Sequence, residues 1–432
     1  MRQVYTLLLI TLWAVIAVAQ PKAKIHCGYE AAMQRMESRF PGFRVAADRT
    51  FAESKQAAVS ANSRSVNYDI GIVFHVLYDS AAENLGDSVL FSEIAVLNED
   101  YSHTNADAGN ARPIFDTVSG DTHIRFHIKQ INRVHSTASF TSLFGFPEDS
   151  IVKETANGGD DAVAPEHYLN IWILNIKSSF LGSVLGFAYP PAGLSNWPSG
   201  SEAQYQKWEG VVVDYRTVGR NNPNPYPDPT GGSGNLVIKG RTCTHEVGHY
   251  LGLRHIWGDG GGFSGTNDCL QSDGIDDTPF ANSQSDFDCN TSRNTCGGIE
   301  TYYGINAPDM IENYMDYSSE SCMNMFTRQQ GALMRSTIEN QRTHLLDVAG
   351  VSSVVLPQVH ISPNPSNGTF LITGAGDHAT IEVFSLLGKQ IASLVEKTAG
   401  NYTVDLTGNA AGIYMLQIKA GNSIKTEKVI LQ

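Results

Sequence analysis

The chain has 432 residues, 41% hydrophobic and 17% charged, which is enough material for two or three folded units rather than one ordinary domain. A formal charge of −14 and a pI near 5.3 argue against nucleic acid or an anionic membrane surface as a partner.

Residues 1–19 read as a secretory signal: Arg2 gives the positive start, Leu7 to Val18 the apolar stretch, and Ala17-Val18-Ala19 a small-residue cleavage site. No later stretch is long and apolar enough to span a bilayer, so no membrane span is expected after signal removal. An exported chain carries its six cysteines into a disulfide-permissive compartment. Residues 20–64 are polar and alanine-rich, without strand alternation, and fit a pro-segment. A short helix is expected over Ala31 to Phe40 and weak structure elsewhere, with Arg64 in the small polar run ANSRS as the point of cleavage.

Residues 65–348 form the next unit. Ile70, Ile72, Phe74 and Val76 alternate as one face of a strand over 67–79. Asp87 to Tyr101 reads as a helix with Val89, Ile94, Leu97 and Tyr101 along its apolar side. Further strands are expected around Ile124–Ile128, Tyr168–Ile176 and Gly210–Tyr215, and the loop NNPNPYPDPTGGSG follows. A helix is then expected over Leu236 to Leu253, giving an α+β unit.

That helix carries His245, Glu246, His249, Gly252 and His255 in the pattern HExxHxxGxxH. Residues four apart share a helical face, so His245 and His249 can converge on one metal ion. Gly252 lets the helix stop and the chain turn back, bringing in His255 as a third nitrogen ligand. Three protein ligands with a fourth position open to water are the arrangement of a catalytic zinc site, and Glu246 adjoins the first ligand as a base for that water. The bland alternative is a buried helix that happens to carry histidines; five specified positions in eleven make it the poorer reading.

Residues 260–310 are rich in Gly, Asp, Asn, Ser and Thr, and a loop this long needs something to hold it. Cysteine is one staple: Cys269, Cys289 and Cys296 lie here and Cys322 shortly after, though six cysteines allow 15 pairings. Calcium is the other, through Asp273, Asp276, Asp277 and Thr278, set against an ordinary solvated acidic loop. Cys243 reads as a small buried hydrophobe. Cys27 has two readings, a bond to Cys243 or a thiolate covering the open zinc position until the pro-segment is removed. After a linker at 349–357, residues 358–432 show short alternating strands over 369–372, 380–385, 402–406, 413–418 and 425–431, a small β-sandwich without catalytic clusters.

The zinc motif followed by NYMDYSSESCMNMFT (313–327) resembles the metzincin metallopeptidases, whose methionine turn runs under the zinc. Met315-Asp316-Tyr317 followed by Cys322 and Phe326 resembles the pappalysin, or cytophagalysin, family within them, and VFHVLYD and LNEDYSHTNAD extend the similarity to roughly residues 24–345. The resemblance implies a metzincin-type α+β domain with a mixed sheet, Met315 packed beneath the zinc, and Tyr317 beside it to stabilise the oxyanion. It also implies disulfides Cys269–Cys296 and Cys289–Cys322, calcium near Asp273 and Thr278, and a latency role for Cys27. Members that cut before arginine carry an acid directly before the cysteine matching Cys322. Here that residue is Ser321, with Glu320 one earlier, a departure that leaves two readings, a basic preference served by Glu320 instead or none. SPNPSNGTF, LLGK and AAGIYMLQI in 358–432 resemble the sorting domain of the type IX secretion system of Gram-negative bacteria.

The expectation is thus a secreted or outer-membrane-surface zinc endopeptidase, made as a zymogen, with protein or peptide substrates and the type IX machinery as partner. The rivals are an adhesin on a retired protease scaffold, against which an intact Glu246 argues, and an amidase.

Overall fold

The computed structural model describes residues 24–60, 67–138, 140, 148–177, 182–191, 197–198, 200–201, 207–228, 233–258, 269, 272–347, 359–374, 379–385, 389–391, 394–398, 401–420 and 423–432. A six-stranded mixed sheet in the order β1-β5-β6-β4-β2-β3 organises the larger unit. Its strands are β1 Lys24–Cys27, β2 Tyr68–Tyr78, β3 Ile124–His135, β4 Leu169–Leu174, β5 Gly182–Ala188 and β6 Val211–Asp214. The pairs β2/β3, β2/β4 and β4/β6 are parallel, β5 is antiparallel to β6, and β1 is parallel to β5.

The alternation in β2 sends Ile70, Ile72, Phe74 and Val76 to one face. There they join Leu90, Leu97 and Tyr101 of α3 (Asp87–Tyr101) and Val247 and Tyr250 of α4 (Arg241–Tyr250) in one core. The other face is covered too. Trp172, Leu174, Phe187 and Tyr189 pack there against Tyr29, Ala32, Met33 and Met36, the apolar stripe of α1 (Tyr29–Arg39). That stripe confirms a helix near the expected place. The remainder of the N-terminal segment corrects the expectation of weak structure: β1 joins the sheet, and α2 (Phe43–Ser60) packs along α5 (Arg328–Asn340). The signal stretch 1–19, Arg64 and the linker 349–357 lie outside the described residues.

The helix expected over 236–253 is shorter, Arg241–Tyr250. Gly240, at φ +89°, breaks the backbone before it, and Gly252, at φ +96°, ends it. A side chain at Gly252 would also meet Thr337 Oγ1 at 2.9 Å. Strand β5, GSVLGFA, was not expected at all. The long loop is stapled by Cys269–Cys296 and Cys289–Cys322. Cys243 is buried and in no disulfide, so the reading of a Cys27–Cys243 bond falls. The C-terminal unit has strands β7 His360–Ser362, β8 Thr369–Thr373, β9 Thr380–Ser385, β10 Leu394–Thr398, β11 Asn401–Asp405, β12 Gly412–Ala420 and β13 Ser423–Leu431. Its two antiparallel sheets, β10-β11-β8-β7 and β13-β12-β9, enclose Phe370, Ile372, Val383, Val404, Leu416 and Ile418, a sandwich as expected. Its strands β7 (His360–Ser362) and β10 (Leu394–Thr398) were not foreseen.

Arg241, at the start of α4, ties the active-site helix to the rest of the unit. Its guanidinium pairs with Asp107, lies 3.4 Å from Asp100 Oδ1, and donates to Glu320 O and Met323 O. A buried charge with this many partners is costly to remove because each partner is left unsatisfied. Arg241→Met should cost about 3–5 kcal/mol of stability, read as a fall in the urea midpoint. An unchanged midpoint would mean that the network adds nothing to the fold.

Candidate metal centre

Three imidazoles meet at the end of α4. His249 Nε2 lies 3.1 Å from both His245 Nε2 and His255 Nε2. The far nitrogens settle which atom carries the proton. His245 Nδ1 is 2.6 Å from Tyr314 O and His249 Nδ1 is 2.9 Å from Leu253 O. A carbonyl can only accept, so both Nδ1 atoms donate and both Nε2 atoms present lone pairs. Lone pairs facing one another at this distance repel, and a shared cation removes the repulsion. Burial and the neighbouring His255 push His245 down to about 3, and burial likewise holds His249 well below the usual range, so both rings are neutral, the form that binds metal. Among the described residues, Cys27, His245, His249 and His255 are the one set of three or more such groups whose ligand atoms converge, all within 4.8 Å of one another. The set fits zinc: nitrogen donors and one soft sulfur.

Packing holds these rings in place. Met315 is fully buried, and a side-chain carbon built on Gly248 would stand 2.5 Å from its Sδ, so the thioether fits beneath α4 only because position 248 is glycine. Trp257 stacks on His255 at 4.4 Å, and Tyr29 of α1 stacks on His249 at 4.1 Å. Asp100 links three elements: it accepts from Thr244 Oγ1 at 2.9 Å and from Tyr314 OH at 2.7 Å, and it faces Arg241. Tyr314 in turn supplies the carbonyl that orients His245. The run LNEDYSHTNAD therefore contributes anchors, Asp100 and Asp107, rather than ligands.

Glu246 lies against β5, where only a glycine leaves room; a side-chain carbon on Gly186 would sit 2.8 Å from Glu246 Cγ. Burial pushes its carboxyl up to about 8, opposed by the Cys27 thiol, whose Sγ donates to Glu246 Oε2 at 3.3 Å. Tyr317 is buried beside His255, ring centres 5.1 Å apart, and its hydroxyl accepts from Cys27 N at 2.8 Å. The expected residues His245, Glu246, His249, His255, Met315, Tyr317 and Cys27 thus come together. Tyr29, Trp257 and Gly186 were missed, because nothing in their local sequence marks them.

The acidic loop is different. Asp276 Oδ1 faces Lys55, and Asp277 accepts from Thr327 Oγ1 and Gln329 N at the start of α5. Asp273 Oδ1 accepts from Ile275 N and Thr278 Oγ1, while its buried Oδ2 has no hydrogen bond. Burial pushes Asp273 up to about 8 and Asp277 up to about 6. Of the four residues expected to hold calcium, Asp273 keeps a buried carboxylate oxygen without a hydrogen bond.

Glu320 borders the centre on its other side but serves α4. Its Oε1 accepts from Thr242 N and Thr242 Oγ1, each at 2.9 Å; its Oε2 accepts from Arg241 N at 3.2 Å and from Lys239 N. A carboxylate at this end satisfies orphan amides and suits the helix dipole.

Comparison with known proteins agrees with this geometry. A family model described as pregnancy-associated plasma protein-A matches residues 236–339, and one described as a secretion system C-terminal sorting domain matches 360–432. Extracellular metalloprotease 1 of Coccidioides posadasii is 32% identical over 273 residues, 62% of this chain and 76% of its own. An extracellular metalloprotease of Uncinocarpus reesii is 28% identical over 337 residues, 76% of this chain and 94% of its own. Mature mirolysin of Tannerella forsythia, solved in complex with a cleaved peptide, matches with a TM-score of 0.53 at 32% identity, covering 66% of this chain and 98% of that one. A promirolysin mutant from the same organism matches with a TM-score of 0.58 at 30% identity, covering 75% and 98%.

His249→Ala removes the nitrogen common to both close pairs. The variant should lose bound zinc, measured by atomic emission after gel filtration, whereas the parent should retain it; zinc kept in full by the variant would move the metal elsewhere.

Proposed function

The chain belongs to the pregnancy-associated plasma protein-A, or pappalysin, family of metzincin metallopeptidases, and from that premise we propose that it is a secreted zymogen whose chemistry rests on His245, His249, His255 and Glu246. It is a metalloendopeptidase with a type IX sorting domain at 360–432. Residues 1–19 would direct export, 20–64 would be removed on activation, and the sorting domain would be read by the type IX machinery, delivering a secreted or surface-held enzyme. One observation carries the proposal: the three Nε2 atoms face each other with Cys27 Sγ and Glu246 beside them.

Zinc held by the three histidines supplies Lewis-acid polarisation of a peptide carbonyl and of water. Glu246 takes the proton of the attacking water on its carboxylate and returns it to the leaving nitrogen. Tyr317 hydroxyl, once relieved of the Cys27 amide, donates to the developing oxyanion. In the precursor the N-terminal segment occupies all of these groups. Cys27 holds the base and the tyrosine, Tyr29 covers His249, and β1 takes the β5 edge on which an extended peptide would pair. Arg35 of α1 fastens the segment by donating to the buried Asp149 Oδ2 at 2.8 Å. For calcium, the buried, unbonded Asp273 Oδ2 supports a structural site in the stapled loop, with Thr278 Oγ1 next to it.

Glu246→Gln should keep zinc and lower kcat/KM on a casein-derived peptide by roughly a hundred-fold or more; retained turnover would reassign the base. Cys27→Ala should give a precursor that matures faster than the parent, followed by gel and peptide hydrolysis together. An unchanged maturation rate would leave Cys27 with a structural role only.

A further inference from the structure

A cavity of about 220 Å³ opens beside His245 and Glu246, walled by Leu185 of β5, Leu236 and Ile238 ahead of α4, Thr242, Phe287 and Met323. Glu246 returns its proton to the leaving nitrogen, so the residue that owns this nitrogen sits next to Glu246, and its side chain has this cavity in front of it. Building on the peptidase reading above, we propose that the cavity receives that side chain and selects bulky apolar residues over lysine and arginine.

The charged side chains that line the cavity are mostly committed to the fold. An ionised carboxylate offers about four lone-pair sites. Glu320 accepts four donors, Lys239 N, Arg241 N, Thr242 N and Thr242 Oγ1, and is itself buried. An incoming guanidinium would have to break the cap of α4 to reach it. Arg241 also lines the cavity, so a second cation would meet a like charge there. Asp316 is wholly buried: its Oδ1 accepts from Ser285 N at 3.1 Å, and its Oδ2, without a hydrogen bond, is closed off from solvent. Asp228 is the half-exposed carboxylate of the lining. Ser321 is not part of the lining, and its hydroxyl meets Ser319 Oγ at 2.8 Å. Apart from Asp228, what the cavity offers a large side chain is chiefly the apolar wall of Leu185, Leu236, Ile238, Phe287 and Met323, and a side chain that leaves water for such a wall gains in proportion to the area it buries.

The test is a peptide library cleaved by the activated, zinc-loaded enzyme, varied only at the residue after the scissile bond. Leucine, phenylalanine and methionine should exceed lysine and arginine in kcat/KM by roughly ten-fold or more. Ile238→Ala should shrink the advantage of leucine over alanine by roughly ten-fold. Glu320→Gln should lower the unfolding temperature and leave the ranking of side chains as it was. A wild-type preference for lysine or arginine, above all one abolished by Glu320→Gln, would overturn the inference while leaving the peptidase reading intact. No cleavage of any peptide would overturn the peptidase reading itself, and this inference with it.

Discussion

His249 Nε2 held 3.1 Å from Nε2 of both His245 and His255, with the lone pairs of His245 and His249 turned inward, is a repulsive arrangement that the rest of the fold must impose or a cation must relieve. The surrounding structure does the imposing. Tyr314 and Leu253 carbonyls fix the tautomers, Gly252 turns the chain so that His255 returns, and Met315 fills the space under Gly248. Metal binding and folding are therefore coupled at this site, because a cation bound by the three histidines would remove the cost of holding them together.

The helix that carries two of those ligands is held at its N-terminus by side chains distant in sequence. Glu320 caps it, Arg241 bridges it to Asp107 and the Met323 carbonyl, and Asp100 joins Thr244 to Tyr314. Burying this many charges is tolerable because each finds a partner. It also explains why acidic residues close to the centre are not thereby available to substrate. The N-terminal segment lies against this site: Cys27 on Glu246, Tyr29 on His249 and β1 along β5.

The metal centre was legible because its ligands sit within one helix and its turn, where 3.6-residue periodicity converts spacing directly into geometry. Met315 and Tyr317 were legible only through resemblance, since nothing local says that a turn some sixty residues on will pass beneath α4. The extent of that helix was overestimated because the apolar residues 236 and 238 imitate a first turn, whereas they lie outside any helix and line a cavity. Strand β5 was missed because its two glycines dilute the apolar signal, and one of them, Gly186, is there to admit Glu246. The long helix α2 was missed because its stabilising surface lies on α5, far along the chain, and its own sequence is largely polar and alanine. Glu320 had an evident charge and no evident duty; its duty belongs to amides about eighty residues away.

The central claim is that one zinc ion sits between His245, His249 and His255, with Cys27 against it until the N-terminal segment leaves. X-ray absorption at the zinc edge, recorded on the precursor and again after activation, tests it most directly. The account predicts a sulfur scatterer beside nitrogen in the nearest shell of the precursor and only nitrogen and oxygen in the activated enzyme. A precursor spectrum without sulfur, or one unchanged by activation, would contradict it.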